Sequence, residues 1–127
     1  MERGEDVNGT DPRHGRTGLM LAVGHDHQDI VDYLLQLPGL HVNCQETNGW
    51  TALHGACYLD NTRVVRLLVS HPGMDSWNTR DRLGGSCPLM LAVRNGSIDC
   101  VRELVRVGEV DLETTDDSGR GLEEVAR

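Results

Sequence analysis

Three groupings of residues in this 127-residue chain have types and spacings that chemistry can use. His54 and Cys57 lie three apart, which on a helix sets a base and a thiol on neighbouring turns. A cysteine nucleophile also needs a group that orients the base and donors for an oxyanion, and no such set is legible around Cys57. His25 and His27 flank Asp26, with His14 as a further candidate, and together they suggest zinc. A tetrahedral site needs a fourth fixed ligand, and residues two apart do not share a helix face. Gly84-Gly85 is the closest approach to a phosphate cradle, but it lacks the Gly-x-x-x-x-Gly-Lys context. The expectation is therefore a non-enzyme, with no catalytic residue, no cofactor and no metal.

Composition narrows the partners. The formal net charge is −8, and all twelve basic residues are arginine. Phosphate neutralisation needs clustered cations, so nucleic acid is not expected as a ligand. Arginine forks suit carboxylates and stack on aromatic rings, which favours protein partners. No apolar run approaches the ~20 residues that cross a bilayer, and no apolar core follows Met1-Glu2-Arg3-Gly4 as a secretory signal requires. Cys44, Cys57, Cys87 and Cys100 form no Cys-x-x-Cys pair and read as free thiols. That implies an intracellular protein, cytoplasmic or nuclear. The sequons at Asn8 and Asn95 then have no role.

The elements that would position any site come from a repeat. His14-Gly15-Arg16-Thr17-Gly18-Leu19-Met20-Leu21-Ala22, Asn48-Gly49-Trp50-Thr51-Ala52-Leu53-His54-Gly55-Ala56 and Gly84-Gly85-Ser86-Cys87-Pro88-Leu89-Met90-Leu91-Ala92 are variants of one pattern. Their leucines, Leu19, Leu53 and Leu89, are 34 and 36 residues apart. Gly24, Asp60 and Gly96 stand where each first helix should end. Each is followed by an apolar stripe: Ile30, Val31, Leu34, Leu35; Val64, Val65, Leu67, Leu68; Ile98, Val101, Leu104, Val105. Pro38-Gly39, Pro72-Gly73 and Gly108 close the second helices.

This pattern resembles the ankyrin repeat family, whose Gly-x-Thr-Pro-Leu-His-x-Ala motif recurs about every 33 residues. The resemblance implies an all-α solenoid of helix–turn–helix units joined by β-hairpin-like fingers. The expected helix pairs are 18–25 with 28–37, 52–59 with 62–70, and 88–94 with 98–107. The expected units are the tail of a preceding repeat and a turn (1–14), repeats at 15–48, 49–84 and 85–118, and the start of a truncated fourth at 119–127. Gly4-Glu5-Asp6-Val7-Asn8 resembles the tail that closes such a unit, and Asp117 to Ala126 resembles the opening of one. Both suggest three repeats cut from a longer array.

The signature is incomplete. Thr17 and Thr51 should cap their helices, whereas Cys87 is a weak capping group followed by a favourable first-turn Pro88. His54 alone keeps the family histidine, which the resemblance makes structural; Met20 and Met90 replace it elsewhere. Modest stability follows. Trp77 replaces the valine of the Val42-Asn43 tail and is expected to fill a gap.

The resemblance places function on the concave face, at the fingers and the exposed side of each first helix. In this chain those positions are Arg13, His14, Arg16, Gly24 and His25; Thr47, Asn48, Trp50, Tyr58 and Leu59; Arg82, Leu83, Ser86, Arg94 and Asn95. The outer sets are basic and the middle one aromatic, which suits another protein's acidic or amphipathic segment bound to a monomer. Rival functions are a targeting or inhibitory segment of a larger signalling protein or ligase adaptor, and an architectural spacer without a ligand. Asn43, one residue after Val42 and eight after Leu35, also resembles the target of the asparaginyl hydroxylase that modifies such repeats. Otherwise Asn43 would serve its own turn.

Overall fold

A computed structural model of the protein describes residues 6–126. The readings that fall on Met1 to Glu5 and on Arg127 lie outside the described residues. Six helices form three antiparallel pairs: α1 (Gly18–Gly24) with α2 (Gln28–Leu35), α3 (Ala52–Tyr58) with α4 (Thr62–Val69), and α5 (Pro88–Asn95) with α6 (Ile98–Arg106). A short α7 (Leu122–Val125) packs on α5. First helices stack on first helices and α4 packs on α6, while α2 meets α4 through Arg63 on Asp32, so each pair contacts only its neighbours in the row. The second helices stop short of the expected ends, α2 by two residues.

Helix starts follow the sequence closely. The Thr17 hydroxyl accepts from the Met20 amide at 3.2 Å and that of Thr51 from the His54 amide at 3.3 Å. Cys87 occupies the same extended backbone at the start of α5 but makes no side-chain cap. The turn between paired helices corrects one register. The left-handed residue is Asp26 in repeat 1, not Gly24, with φ +57°; Asp60 at +57° and Gly96 at +71° are its equivalents. A short polar side chain tolerates this conformation almost as glycine does, so a glycine search misplaces the turn by two residues.

The core is a row of leucines and small residues. Leu19, Leu53 and Leu89 are all buried, with Ala22, Ala56 and Ala92 one turn on. The second-helix stripes are only partly inward. Val31, Val64, Val65, Leu68 and Leu104 are buried, and Cys100 joins them. Ile30, Ile98 and Val105 are exposed instead. They lie on helices at the two ends of the row, where no neighbouring helix covers them among the described residues.

Two ladders of hydrogen bonds join the units. Asn8, Asn43 and Asn78 recur every 35 residues. Their amides donate to the carbonyls of Gly39, Gly73 and Glu109, and their oxygens accept from the amides of His41, Asp75 and Asp111. Asn43 thus braces the following unit and not its own turn. Fingers are linked by backbone bonds from Thr47 to His14, Arg82 to Asn48 and Asp117 to Gly84, at 2.8 to 2.9 Å. Gly49 sits at one such crossing, where a Cβ would come within 2.8 Å of the Arg82 nitrogen. The fingers are tight turns and form no strand among the described residues; Thr10 and Thr17 make one isolated bridge.

Candidate functional site: the concave groove

Each finger is built on an acidic residue whose place at its base the sequence reading did not assign. Asp11, Glu46, Asp81 and Asp116 follow one another at 35-residue intervals. Their backbones close the turn, with N–H donated to Arg16, Trp50, Ser86 and Arg120 carbonyls. Their carboxylates collect the turn's own amides: Arg16 on Asp11, Asn48 and Trp50 on Glu46, Leu83, Gly85 and Ser86 on Asp81, Ser118 and Arg120 on Asp116. The backbone bond from Arg16 holds Asp11 below the usual carboxylate range, and that from Arg120 does the same for Asp116. Burial pushes Asp81 up, but bonds from the Ser86 backbone, the Trp50 indole and the Leu83 backbone outweigh it. The strict interval was the signal that would have found these residues.

Between the fingers and first helices of repeats 1 and 2 runs an open groove of about 290 Å³. Met20, Val23 and Ala52 form its apolar floor, Arg16 and Glu46 one end, and Trp50, Tyr58 and Leu59 its wall. The Trp50 and Tyr58 rings are 5.2 Å apart and tilted by 57°. Gly24 and Gly55 also line it, and a Cβ on either would meet no other group within 4 Å. Trp50 has a second duty: its indole N–H donates to Asp81 Oδ2 at 2.9 Å, tying the start of α3 to the finger that precedes α5.

The expected surface residues divide into free and braced ones. Arg13, His14, His25, Tyr58, Leu59 and Leu83 are exposed. Arg16 is half-buried, with Nη2 3.2 Å from His14 Nδ1 and 3.6 Å from Asp11. Asn48 and Thr47 are exposed but offer their carbonyls to Arg82, through its amide and Nη1 respectively. Arg94 donates to Ser86 Oγ at 3.3 Å, and Asn95 to the Tyr58 carbonyl at 2.8 Å. Ser86 is a correction. It is buried, because its amide and carbonyl serve Asp81 and His54, so it presents no side chain to a partner. Arg82 and Arg94 spend these bonds on neutral oxygens, which do not compensate their charges.

The chemically suggestive groups are spoken for. His54 is fully buried. Its Nδ1 faces the amide and hydroxyl of Thr51 at 3.1 and 3.0 Å, and its Nε2 meets the Ser86 carbonyl at 3.0 Å. The Ser86 carbonyl only accepts, so Nε2 carries the proton, and the Thr51 amide only donates, so Nδ1 is bare and the ring is neutral. Burial lowers the His54 pKa and raises that of Cys57 well above its ordinary value, so neither a free base nor a thiolate stands here. His25 and His27 stack at 5.7 Å, and no three His, Cys, Asp or Glu side chains converge among the described residues. Trp77 is half-buried against the core, as a gap-filler would be, although its indole nitrogen lacks a partner.

Three helix pairs of one build, joined by acid-based fingers, can be compared with known proteins. A family model of ankyrin repeats, three copies long, matches residues 1–81 and again 36–116. The chain belongs to the ankyrin repeat family. It is 33% identical over 95 residues to SMC5-SMC6 complex localization factor protein 1 of Bos taurus, covering 74% of this chain and 9% of that protein. It is 32% identical over 99 residues to the target of rapamycin complex 2 subunit AVO2 of Saccharomyces cerevisiae, 78% of this chain and 22% of the subunit. Rabankyrin-5 of Mus musculus is 30% identical over 114 residues, 90% of this chain and 10% of that protein. The chain thus spans a small part of the length of these relatives. Ankyrin repeats are protein–protein interaction modules and a non-catalytic fold, and this chain has their helices, caps and fingers. No helix among the described residues is long and apolar enough to cross a membrane.

Proposed function

We propose that this ankyrin domain binds a segment of another protein, non-catalytically and as a monomer, along the concave groove. The observation that carries this reading is the aromatic wall of Trp50 and Tyr58 over an apolar floor, with Arg16 in the lining and the exposed Arg82 and Arg94 on the following finger and first helix. An apolar side chain of the segment fills the groove, and acidic residues on either side of it meet the arginines. Rim charges of this kind speed encounter and weaken with salt, while the buried anchor governs dissociation. The four free thiols favour an intracellular setting, cytosol or nucleus. The short matched share of the relatives favours a second reading, a recognition unit that targets an activity carried elsewhere.

A displayed random-peptide library selected on the folded domain tests this directly. Enriched sequences should pair an apolar anchor with flanking acids. Gly55→Leu, which adds bulk at a groove-lining position where a Cβ would meet no other group within 4 Å, should weaken them at least tenfold while leaving circular dichroism unchanged. Peptides that bind Gly55→Leu as tightly as the parent would refute the groove.

A further inference from the structure

The groove between repeats 1 and 2 has a filled counterpart in the same molecule. Counted from the helix-start residues Thr17, Thr51 and Cys87, the positions that line it recur between repeats 2 and 3. Two of the exchanges change the space most: Gly24 becomes Tyr58, and Gly55 becomes Leu91. In the second interval Leu91 is 5% exposed, His54, Cys57 and Pro88 are buried, and Asn95 reaches the Tyr58 carbonyl. In the first, Gly24, Tyr58 and Leu59 are exposed, and Met20 and Gly55 are half-buried. The groove lies between two complete helix pairs, so a further unit stacked at either end of the row would not cover it. Both glycines are helical, neither has a positive φ, and a Cβ on either would meet no other group within 4 Å. The groove is thus a vacancy left by two side chains, and the following interval shows what fills it: a phenol ring and a leucine.

We propose that the partner segment anchors through two side chains, an aromatic ring over Gly24 and a branched aliphatic side chain over Gly55, which makes these glycines the residues that set the groove's specificity. This rests on the groove reading above and names its anchor. Charge complementarity favours the ring. Tyr58, at the Gly24 position of its interval, leans on Trp50 at 5.2 Å, and the residue at the Trp50 position of the earlier interval is Arg16. The incoming ring therefore meets a guanidinium, whose positive charge suits the negative face of an aromatic ring. Arg16 directs Nη2 to His14 and Asp11, and its Nε has no partner among the described residues. Such bonds lie in the guanidinium plane and leave its face for stacking. A second copy of this chain offers the exposed Tyr33 and Ile30 of α2. That contact would join unlike faces and propagate head to tail, so the occupant is a segment of another protein.

One displayed random-peptide library, panned in parallel on the intact domain, Gly24→Tyr and Gly55→Leu under reducing conditions, tests the assignment. Sequences enriched on the parent should carry an aromatic residue together with leucine, isoleucine or valine. Those enriched on Gly24→Tyr should lose the aromatic preference, and those enriched on Gly55→Leu the aliphatic one. For a labelled parent-selected peptide, replacing its aromatic residue by alanine should weaken binding at least tenfold on the parent and less than twofold on Gly24→Tyr, where the seat is taken. Arg16→Met should weaken the aromatic peptide at least threefold and leave its alanine version unchanged. Gly24→Ala, which adds only a Cβ, should weaken the aromatic peptide at least threefold and keeps the test decisive if Gly24→Tyr does not fold. Peptides that Gly55→Leu blocks but that carry no aromatic residue overturn this proposal and leave the groove reading standing. So do peptides whose aromatic residue matters equally on the parent and on Gly24→Tyr. No enriched peptide, or peptides indifferent to both glycine variants, overturns the two together. Sedimentation showing self-association that Gly24→Tyr abolishes makes a second copy the occupant and also overturns the proposal.

Discussion

Replacing Cys87 by threonine should stabilise the domain. Thr17, Thr51 and Cys87 start their helices with φ/ψ of −82°/167°, −98°/175° and −94°/168°, one backbone conformation within the scatter of real helices. Both threonines accept an amide from the third helical residue, while the cysteine accepts none. A cap of this type contributes about 1 kcal/mol. Sterics should not cancel it, because Thr17 and Thr51 fit sites 3% and 2% exposed and Cys87 is 1% exposed in the same position. Allowing for one extra methyl group to be packed, the net gain is about 0.5–1 kcal/mol, or roughly 2–5 °C in Tm for a domain of this size. Urea unfolding and calorimetry of Cys87→Thr, Cys87→Val and the parent in reductant decide it. Valine has threonine's shape without the acceptor, so it should give no gain. If valine stabilises as much as threonine, the benefit is packing and the capping argument fails.

Leu53→Ala empties a fully buried site in the central repeat and should cost about 2–5 kcal/mol in urea unfolding; an unchanged midpoint would contradict the stacking described. Trp50→Phe keeps an aromatic side chain but removes the 2.9 Å bond to Asp81, and should cost about 1–3 kcal/mol in urea unfolding; an unchanged midpoint would show that the bond contributes nothing. For His54, burial lowers the folded pKa below the ordinary 6.5, against smaller upward pulls from the Ser86 carbonyl, Asp81 and Glu46. The unfolded chain then binds the proton more readily, so stability is complete above pH 6.5 and declines as pH falls below it. Urea midpoints at pH 7.5 and 5.5 should separate for the parent and converge for His54→Gln; equal separation in both would assign the effect to other groups.

The periodic motif, the threonine caps and the second-helix stops were legible because each is a local rule acting within a few residues. Features that depend on the neighbouring unit were not. Ser86 reads as a surface serine until His54 of the previous repeat is seen to take its carbonyl. Asn43 reads as a turn residue until its amide reaches Gly73, thirty residues on. Ile30, Ile98 and Val105 match the apolar stripe in type, yet whether such a position is covered depends on which side of the row it faces. Arg82 was legible as a finger cation, but its two bonds to the Glu46 and Thr47 carbonyls belong to a crossing between fingers that no single repeat encodes.

The acid beneath each finger sets how freely that finger can diverge. The turn closes from the acidic residue to the fifth residue after it at Asp11 and Asp81, but to the fourth at Glu46 and Asp116, while the same kind of carboxylate gathers the amides in every case. A turn anchored from its base tolerates a residue gained or lost at its tip, and the side chains out there contribute little to folding. Arg13, Leu83 and Ser118 can therefore drift under selection for new contacts while the helices beneath stay put. Duplicated copies of such a unit can acquire separate specificities without first relearning how to fold.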